Sequence, residues 1–331
     1  KGVAAMIYTV GARAYWDADC AGVFLKIHDD GSASVITGTV DCGQGAKTVL
    51  SQIAAETLGM NLEDVRVYTM DTEGAPMDSR GASASSVTFI SGNAVYYAAR
   101  QARERLLRVA AEKLEAAPDD LDIRKSRVFV RSVPERSMTL GEVAKMSTYR
   151  QGGEAILESA HYDTPTEFID HMTGTGNISP CYSFAAHAAE VEVDTETGRV
   201  RVVRIAAAHD VGRAINPMLL EGQLHGGLSQ GLGYGLTENL ASEGGQFVNG
   251  NLADYKIFTA RDMPEIIPII VETIDPEGPY NAKGIGEPVL VPTAPAIANA
   301  IYDAVGVRIK DLPMTPARVF EALKNREELA S

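Results

Sequence analysis

The sequence predicts an α+β fold of two lobes, each mixing β-hairpins with helices. Two stretches alternate apolar and polar residues at period two and fold back through turn-forming residues. Long runs at helical spacing are present, but they do not alternate with strands as regular βαβ units require. The 331 residues suffice for two compact cores. Residues 152–181 hold few periodic apolar positions and many turn formers, so they are the best boundary candidate. The expected division is a first lobe over 1–150 and a second over 151–331, with strands exchanged between them.

Taken in order, residues 1–19 are rich in Gly, Ala and aromatics and read as irregular. Residues 21–28 and 32–37 have strand composition, and Asp29, Asp30 and Gly31 between them are hairpin chemistry. Helical spacing runs over 48–58 and stops at Gly59. A short strand is expected at 65–70, followed by a loop over 71–86 dense in Gly, Ser, Ala and Pro. A long helix covers 87–116, with Tyr96, Tyr97, Ala98 and Leu106 on its apolar side. Residues 128–130 and 139–146 read as a strand and a short helix. The second hairpin joins 185–194 to 199–208 through a turn at 195–198. Residues 216–235 have helical spacing despite many glycines, each costing about 1 kcal/mol relative to alanine. That cost implies close packing or a helix pressed against a ligand. Two further helices cover 295–305 and 315–329.

Composition narrows the function. The formal net charge of −14 argues against nucleic acid or an anionic membrane as partner. The three cysteines, Cys20, Cys42 and Cys181, are scattered without a CxxC pair. A reducing, cytoplasmic setting fits this usage. No apolar run reaches the length of a transmembrane helix. The six histidines show no HxxxH or HExxH spacing, so no metal held by protein side chains is expected. His187 alternates with apolar residues and reads as a packed side chain.

Four segments can carry chemistry. In NAKGIGEPVLVPT, residues 281–293, Glu287 is the only carboxylate, with Gly284 and Gly286 before it and Pro288 after. A residue before proline is pushed out of the α region, so Glu287 is expected on an extended, tightly placed loop, with Thr293 as N-cap of the next helix. Read alone, it is a turn residue or a catalytic acid. Gly43, Gln44 and Gly45 lie between a strand and a helix, where free backbone N–H groups and the Gln44 amide can bind an anion or a polar ring edge. A plain tight turn is the alternative. In SRGASASS, residues 79–86, small side chains let a ligand approach the backbone. Ser83, Ser85 or Ser86 can cap the following helix or donate to a ligand. Arg80 can pair with a substrate carboxylate or a cofactor phosphate, or be a solvated surface residue. Gln223 and Gln230, seven apart, share one helix face and can meet a polar ligand or simply face solvent.

Together and in this order, TGTVDCGQGAKTVLSQIAAETLG, GASASS running into SGNAVYYAA, DVGRAINPMLLEGQLHGGLSQGLG and AKGIGEPVLVPTAPAIANAI resemble the xanthine oxidase family of molybdenum hydroxylases. The likeness covers nearly the whole chain. It corresponds to the C-terminal half of that family's molybdenum-binding region and implies the α+β fold of its second molybdopterin-binding domain. The loops of the preceding half, the iron–sulfur cysteines and the flavin module have no counterpart in this sequence.

The resemblance implies a molybdenum-bearing molybdopterin dinucleotide of the cytosine type, with the metal held by the pterin. Gly43, Gln44, Gly45, Ser83, Ala84, Ser85, Gln223, Lys283 and Gly284 match cofactor-contacting positions. Glu287 matches the catalytic glutamate, a base that takes a proton from the water-derived oxygen source. Trp16 falls near the substrate wall, where purine-oxidising members carry phenylalanine, and Arg80 can answer a carboxylate-bearing substrate. The implied partners are a second molybdopterin subunit supplying the missing half, an iron–sulfur subunit with [2Fe-2S] clusters, and a flavin subunit with FAD. The missing half is then a separate chain or a cleaved piece. A split subunit of this size resembles the medium molybdopterin subunit of bacterial nicotinate dehydrogenases, implying hydroxylation of a small heteroaromatic substrate. Purine hydroxylation, reductive dehydroxylation of an aromatic thioester and a non-catalytic cofactor scaffold are the alternatives.

Overall fold

The computed structural model describes residues 1–13, 19–69 and 72–330. β1 (Gly2–Thr9) opens the chain, and β2 (Cys20–Ile27) with β3 (Ala33–Thr37) forms the first predicted hairpin. Next come α1 (Ala46–Leu58), β4 (Val65–Thr69) and the long helix α2 (Val87–Leu114). The meander β5 (Leu121–Arg124), β6 (Arg127–Val130) and β7 (Val133–Thr139) leads into α3 (Leu140–Tyr149) and β8 (Leu157–Asp163). β9 (Tyr182–Val193) and β10 (Val200–Asp210) are the second predicted hairpin, followed by α4 (Pro217–Leu236). A small hairpin, β11 (Ser242–Glu243) with β12 (Gln246–Phe247), and the one-turn helix α5 (Leu252–Tyr255) precede β13 (Glu265–Val271). The chain ends in α6 (Thr293–Val305) and α7 (Pro316–Ala330).

These elements form two compact units. The first comprises Lys1–Tyr8, Tyr182–Thr273 and the chain from Ile285 onward; the second comprises Thr9–Cys181 and Ile274–Gly284. The division therefore lies at 181/182 rather than 150/151, and two short segments cross between the units. The reason is strand pairing. β8 lies within the expected boundary region but pairs antiparallel with β2, so the second unit extends past it. Residues 2–9, read as irregular from sequence, form a strand beside β9, which carries the N-terminus into the first unit.

In the first unit the sheet order is β1-β9-β10-β13. β10 runs antiparallel to β9 and parallel to β13. Pro268 in β13 cannot donate to a ladder, and it sits where such a residue is tolerated, on an edge strand. One face of the sheet buries Ala189, Val202, Ile205 and Ala207 against Leu224, Leu228 and Leu232 of α4 and Ile297 and Ile301 of α6. In the second unit the order is β4-β3-β2-β8, with β3 and β4 parallel through the α1 crossover. Val23, Leu25 and Val35 of that sheet are buried, as are Leu50 and Ile53 of α1 and Ala98 and Leu106 of α2. Tyr97 departs from the expected apolar side of α2 and is 40% exposed. Thr139 caps α3 reciprocally with Glu142, satisfying two backbone donors at the helix start.

Candidate functional site

The Glu287 turn is built by three neighbours in the first unit. Glu287 opens a short 3-10 turn, Glu287–Val289, rather than an extended loop. Pro288 is compatible with this because its missing N–H is not needed in a first turn. The Leu290 N–H closes the turn on the Glu287 carbonyl at 3.2 Å. Beneath it lies α4, whose glycines resolve the question left by the sequence. A Cβ on Gly227 would come within 2.5 Å of Val289 Cβ, and one on Gly231 within 2.6 Å of Thr293 Cβ. Gly235 is likewise close to Ala294. The small residues at i, i+4 and i+8 thus form a groove that seats residues 289–294. Gln223, one turn earlier on α4, donates its Nε2 to the Ile285 carbonyl at 3.3 Å. Gln230 is exposed.

Glu287 is half-buried. Tyr8, at the end of β1, feels it: burial first, then the Glu287 charge, raise the Tyr8 hydroxyl above its usual pKa of 10. Sequence reasoning missed Tyr8; its only signal is that it is the single aromatic of a weakly alternating strand. Thr293 is the first residue of α6, not its N-cap, and Pro292 precedes it without a side-chain cap. The Thr293 hydroxyl instead donates back to the Val289 carbonyl at 3.2 Å.

In the second unit three of the expected cofactor segments converge. The Gln44 side chain folds across its own turn, donating from Nε2 to the Val40 carbonyl and accepting from the Cys42 N–H, both at 2.8 Å. Several of the N–H groups expected to await an anion are already paired. Asp41 accepts from Gly43 N–H and Lys47 N–H, each at 3.0 Å. Burial pushes the Asp41 carboxyl up, but the N–H groups of Lys47, Gly43 and Gly45 outweigh it and leave the pKa below its usual 3.8. What this turn still offers is exposed backbone at Gly43, around which a Cβ would meet nothing within 4 Å.

Asp78 ties this turn to the Ser-rich loop. Its Oδ2 accepts from the Thr39 hydroxyl at 3.0 Å and its Oδ1 from the Gly81 N–H at 2.8 Å. Ala84 and Ser85 then adopt consecutive left-handed conformations, φ 49° and 51°. That region is sparsely populated by residues other than glycine, and such strain clusters at ligand-binding loops. The Gly11 N–H holds the Ala84 carbonyl at 2.9 Å. A Cβ on Gly284 would collide with the Ser85 carbonyl oxygen, so only glycine lets these segments meet. Lys283 beside it is buried at 9% exposure. Ser83 is half-buried, its N–H bonded to the Gly81 carbonyl. Arg80 places its Nε 3.4 Å from Oδ1 of the buried Asp19, so a protein carboxylate already engages it. Trp16 lies outside the described residues. Asp78 was also missed, because nothing local distinguishes it from other loop acids.

Among the described residues no group of three or more His, Cys, Asp or Glu side chains is arranged to hold a metal ion. The donor set is instead small hydroxyls, amides and open backbone with one buried lysine. It fits a polar heterocycle with an anionic tail better than a bare cation. Among the described residues no helix is long and apolar enough to cross a membrane.

A family model described as "Molybdopterin cofactor-binding domain" matches residues 1–264. The xanthine dehydrogenase molybdenum-binding subunit of Escherichia coli O157:H7 is 35% identical over 328 residues, covering 97% of this chain and 41% of that protein. The 6-hydroxypseudooxynicotine dehydrogenase complex subunit gamma of Paenarthrobacter nicotinovorans is 33% identical, covering 94% and 39%. The crystal structure of quinoline 2-oxidoreductase from Pseudomonas putida 86 superposes with a TM-score of 0.84 at 30% identity, covering 98% of this chain and 42% of that one. The chain thus spans about two fifths of the length of these relatives.

Proposed function

Because the chain belongs to the molybdopterin cofactor-binding family of xanthine-oxidase-type enzymes, we propose that it is the part of a multi-subunit molybdenum hydroxylase that carries the catalytic carboxylate. The substrate is an electron-poor nitrogen heteroaromatic of the nicotinate kind, with water as oxygen source. The observation that carries this reading is the seating of Glu287, a half-buried acid in a turn fixed by Gln223 from one side and the α4 glycine groove from below. Relatives named for nicotine 6-hydroxylation and for quinoline oxidation support the substrate class.

When bound, a molybdenum dinucleotide cofactor supplies two-electron redox chemistry. The chain's own residues supply placement and proton handling. Glu287 accepts a proton at a carboxylate oxygen, a role suited to a partly dry position. Gln223 fixes the backbone just before it. Tyr8, with its proton held tightly, stays a neutral neighbour. Gly43, Gln44, Gly45, Ser83, Ala84, Ser85, Lys283 and Gly284 line the backbone-rich surface that receives the cofactor, with Lys283 opposing its negative charge. Arg80, already paired with Asp19, holds the Ser-rich loop and meets a substrate carboxylate only in competition with that partner.

The rest of the molybdopterin-binding region, an iron–sulfur subunit and a flavin subunit complete the enzyme. The outer face of the first unit's sheet supports a partner. Val3, Ile7, Phe184, Ile267, Ile269 and Val271 are exposed there, where a solvated sheet would carry polar residues.

The test is Glu287→Gln in the purified assembly. Molybdenum content is expected to stay unchanged while substrate-dependent dye reduction falls by more than about 10³-fold, the scale of losing a proton-transfer group. Retained turnover refutes the role of Glu287. A panel of nicotinate, quinoline, xanthine and an aromatic thioester decides the substrate class. No turnover on any of them by a metal-replete assembly would favour a cofactor scaffold.

A further inference from the structure

Two histidines in the core of the first unit lie behind the Glu287 turn. His187 on β9 and His209 on β10 are both fully buried, as is Thr293. The rings face edge to plane with centroids 5.0 Å apart, and their Nε2 atoms are 2.7 Å apart. At that distance one proton lies between the two nitrogens. His187 Nδ1 is 3.2 Å from the Thr293 hydroxyl, which is also 3.2 Å from the Val289 carbonyl. His209 Nδ1 is buried without a partner among the described residues.

These contacts fix the direction of the protons. A carbonyl only accepts, so the Thr293 hydroxyl donates to Val289. Its oxygen then accepts from His187 Nδ1–H. His187 Nε2 is left bare and accepts from His209 Nε2–H, and His209 Nδ1 ends the chain as a bare lone pair. The reverse direction would forfeit the bond to Val289 and bury an unpaired N–H at His209, and orphaned donors are rarer in protein cores than under-used acceptors.

We propose that His209, His187 and Thr293 form a one-way hydrogen-bond chain that positions the Glu287 turn from behind. Val289 is the last residue of that turn, and the glycine groove of α4 closes its other side, so the turn is clamped between a sheet and a helix. The three act as positioning residues, and the proposal rests on the reading of Glu287 as the catalytic base. Burial supports it by holding both rings neutral: desolvation lowers His187 to about 3, with a smaller contribution from His209, and lowers His209 to about 4.

The test has two parts, both in the complete assembly. In the wild-type protein, ¹⁵N imidazole spectra are expected to show His187 protonated at Nδ1 and His209 at Nε2 at pH 7. The opposite tautomers overturn the proposal without any variant. In Thr293→Val, which keeps the shape and removes the hydroxyl, the Leu290 and Thr293 amides are expected to exchange about tenfold faster. With the substrate that reduces dye in the panel above, kcat falls about tenfold while KM and molybdenum content hold, because a small misplacement of a catalytic group acts on the chemical step. Thr293→Ser restores both. Unchanged exchange, or faster exchange with unchanged kcat, overturns the positioning role. If Glu287→Gln keeps its turnover, the proposed function falls, while the tautomers and exchange rates still report whether the chain exists.

Discussion

The turn at 287–293 and the turn at 41–45 are both short and glycine-bordered, but they are held by opposite means. The first has a far-reaching frame: Gln223, three glycines of α4, Thr293 and two histidines on neighbouring strands all fix it. The second is nearly self-sufficient. Asp41 and Gln44 satisfy its backbone from within seven residues, and Gly43 stands open. A proton-transferring acid needs placement to a fraction of an ångström, and rigid elements supply that better than a loop can. A surface that receives a ligand's polar edge tolerates a looser frame.

Acid separates the two frames, and this is the largest expected effect. Unfolded histidine takes up a proton near its usual 6.5, whereas the buried pair resists until about 4 and about 3. The depressed folded values mean that the pair's contribution is fully present above pH 6.5, falls away as pH drops below it, and is wholly lost once pH has passed 4 and 3. The loss between pH 7 and 4 is on the order of 3 kcal/mol for each ring. Asp41 follows the same sign at lower pH, because its support is present above 3.8 and lost only beneath it. At pH 4.5, exchange corrected for intrinsic rates should show the Leu290 and Thr293 amides deprotected and the Gly43 and Lys47 amides still protected. Equal loss at both turns would erase the distinction.

The α4 glycines sharpen the comparison at a smaller size. Gly231→Ala places a methyl against Thr293 Cβ, an atom next to backbone that cannot swing away. Overpacking of this kind costs about 1–3 kcal/mol, more than the helix propensity gained. Gly226→Ala on the same helix meets nothing within 4 Å, so propensity alone applies and a gain of about 0.5–1 kcal/mol is expected. Denaturant midpoints for the two variants should move in opposite directions. A shared direction would mean that the groove does not seat the turn.

What could be read from sequence follows the same contrast. The hairpins β2–β3 and β9–β10 were legible because alternation and turn chemistry are local, and α2 because its period persists over many turns. β1 and β13 were not, since each pairs with a strand far away in the chain. GVAAMIYT alternates only weakly, and EIIPIIV contains a proline that argues against a strand unless its edge position is known. At the site, Glu287, Gln223 and the glycine segments stood out by local context. Tyr8, Asp78 and the His187–His209 pair did not, because their roles depend on residues brought together only by the sheets. The glycines of α4 were visible, but whether they served packing or a ligand depended on Val289 and Thr293, more than 50 residues away.

The smallest expected effect belongs to the self-sufficient turn. Asp41→Asn keeps the shape and one acceptor oxygen, but it cannot satisfy both Gly43 and Lys47 as a carboxylate does. The loss resembles removal of a helix cap, about 1 kcal/mol. Because the turn has few ties beyond its own residues, the damage should stay local. The Gly43, Gly45 and Lys47 amides should exchange faster, while Leu290 and Thr293 are unaffected and cofactor content falls modestly if at all. A variant that instead deprotected the Glu287 turn would show that the two frames share a support, and the contrast drawn between them would then be wrong.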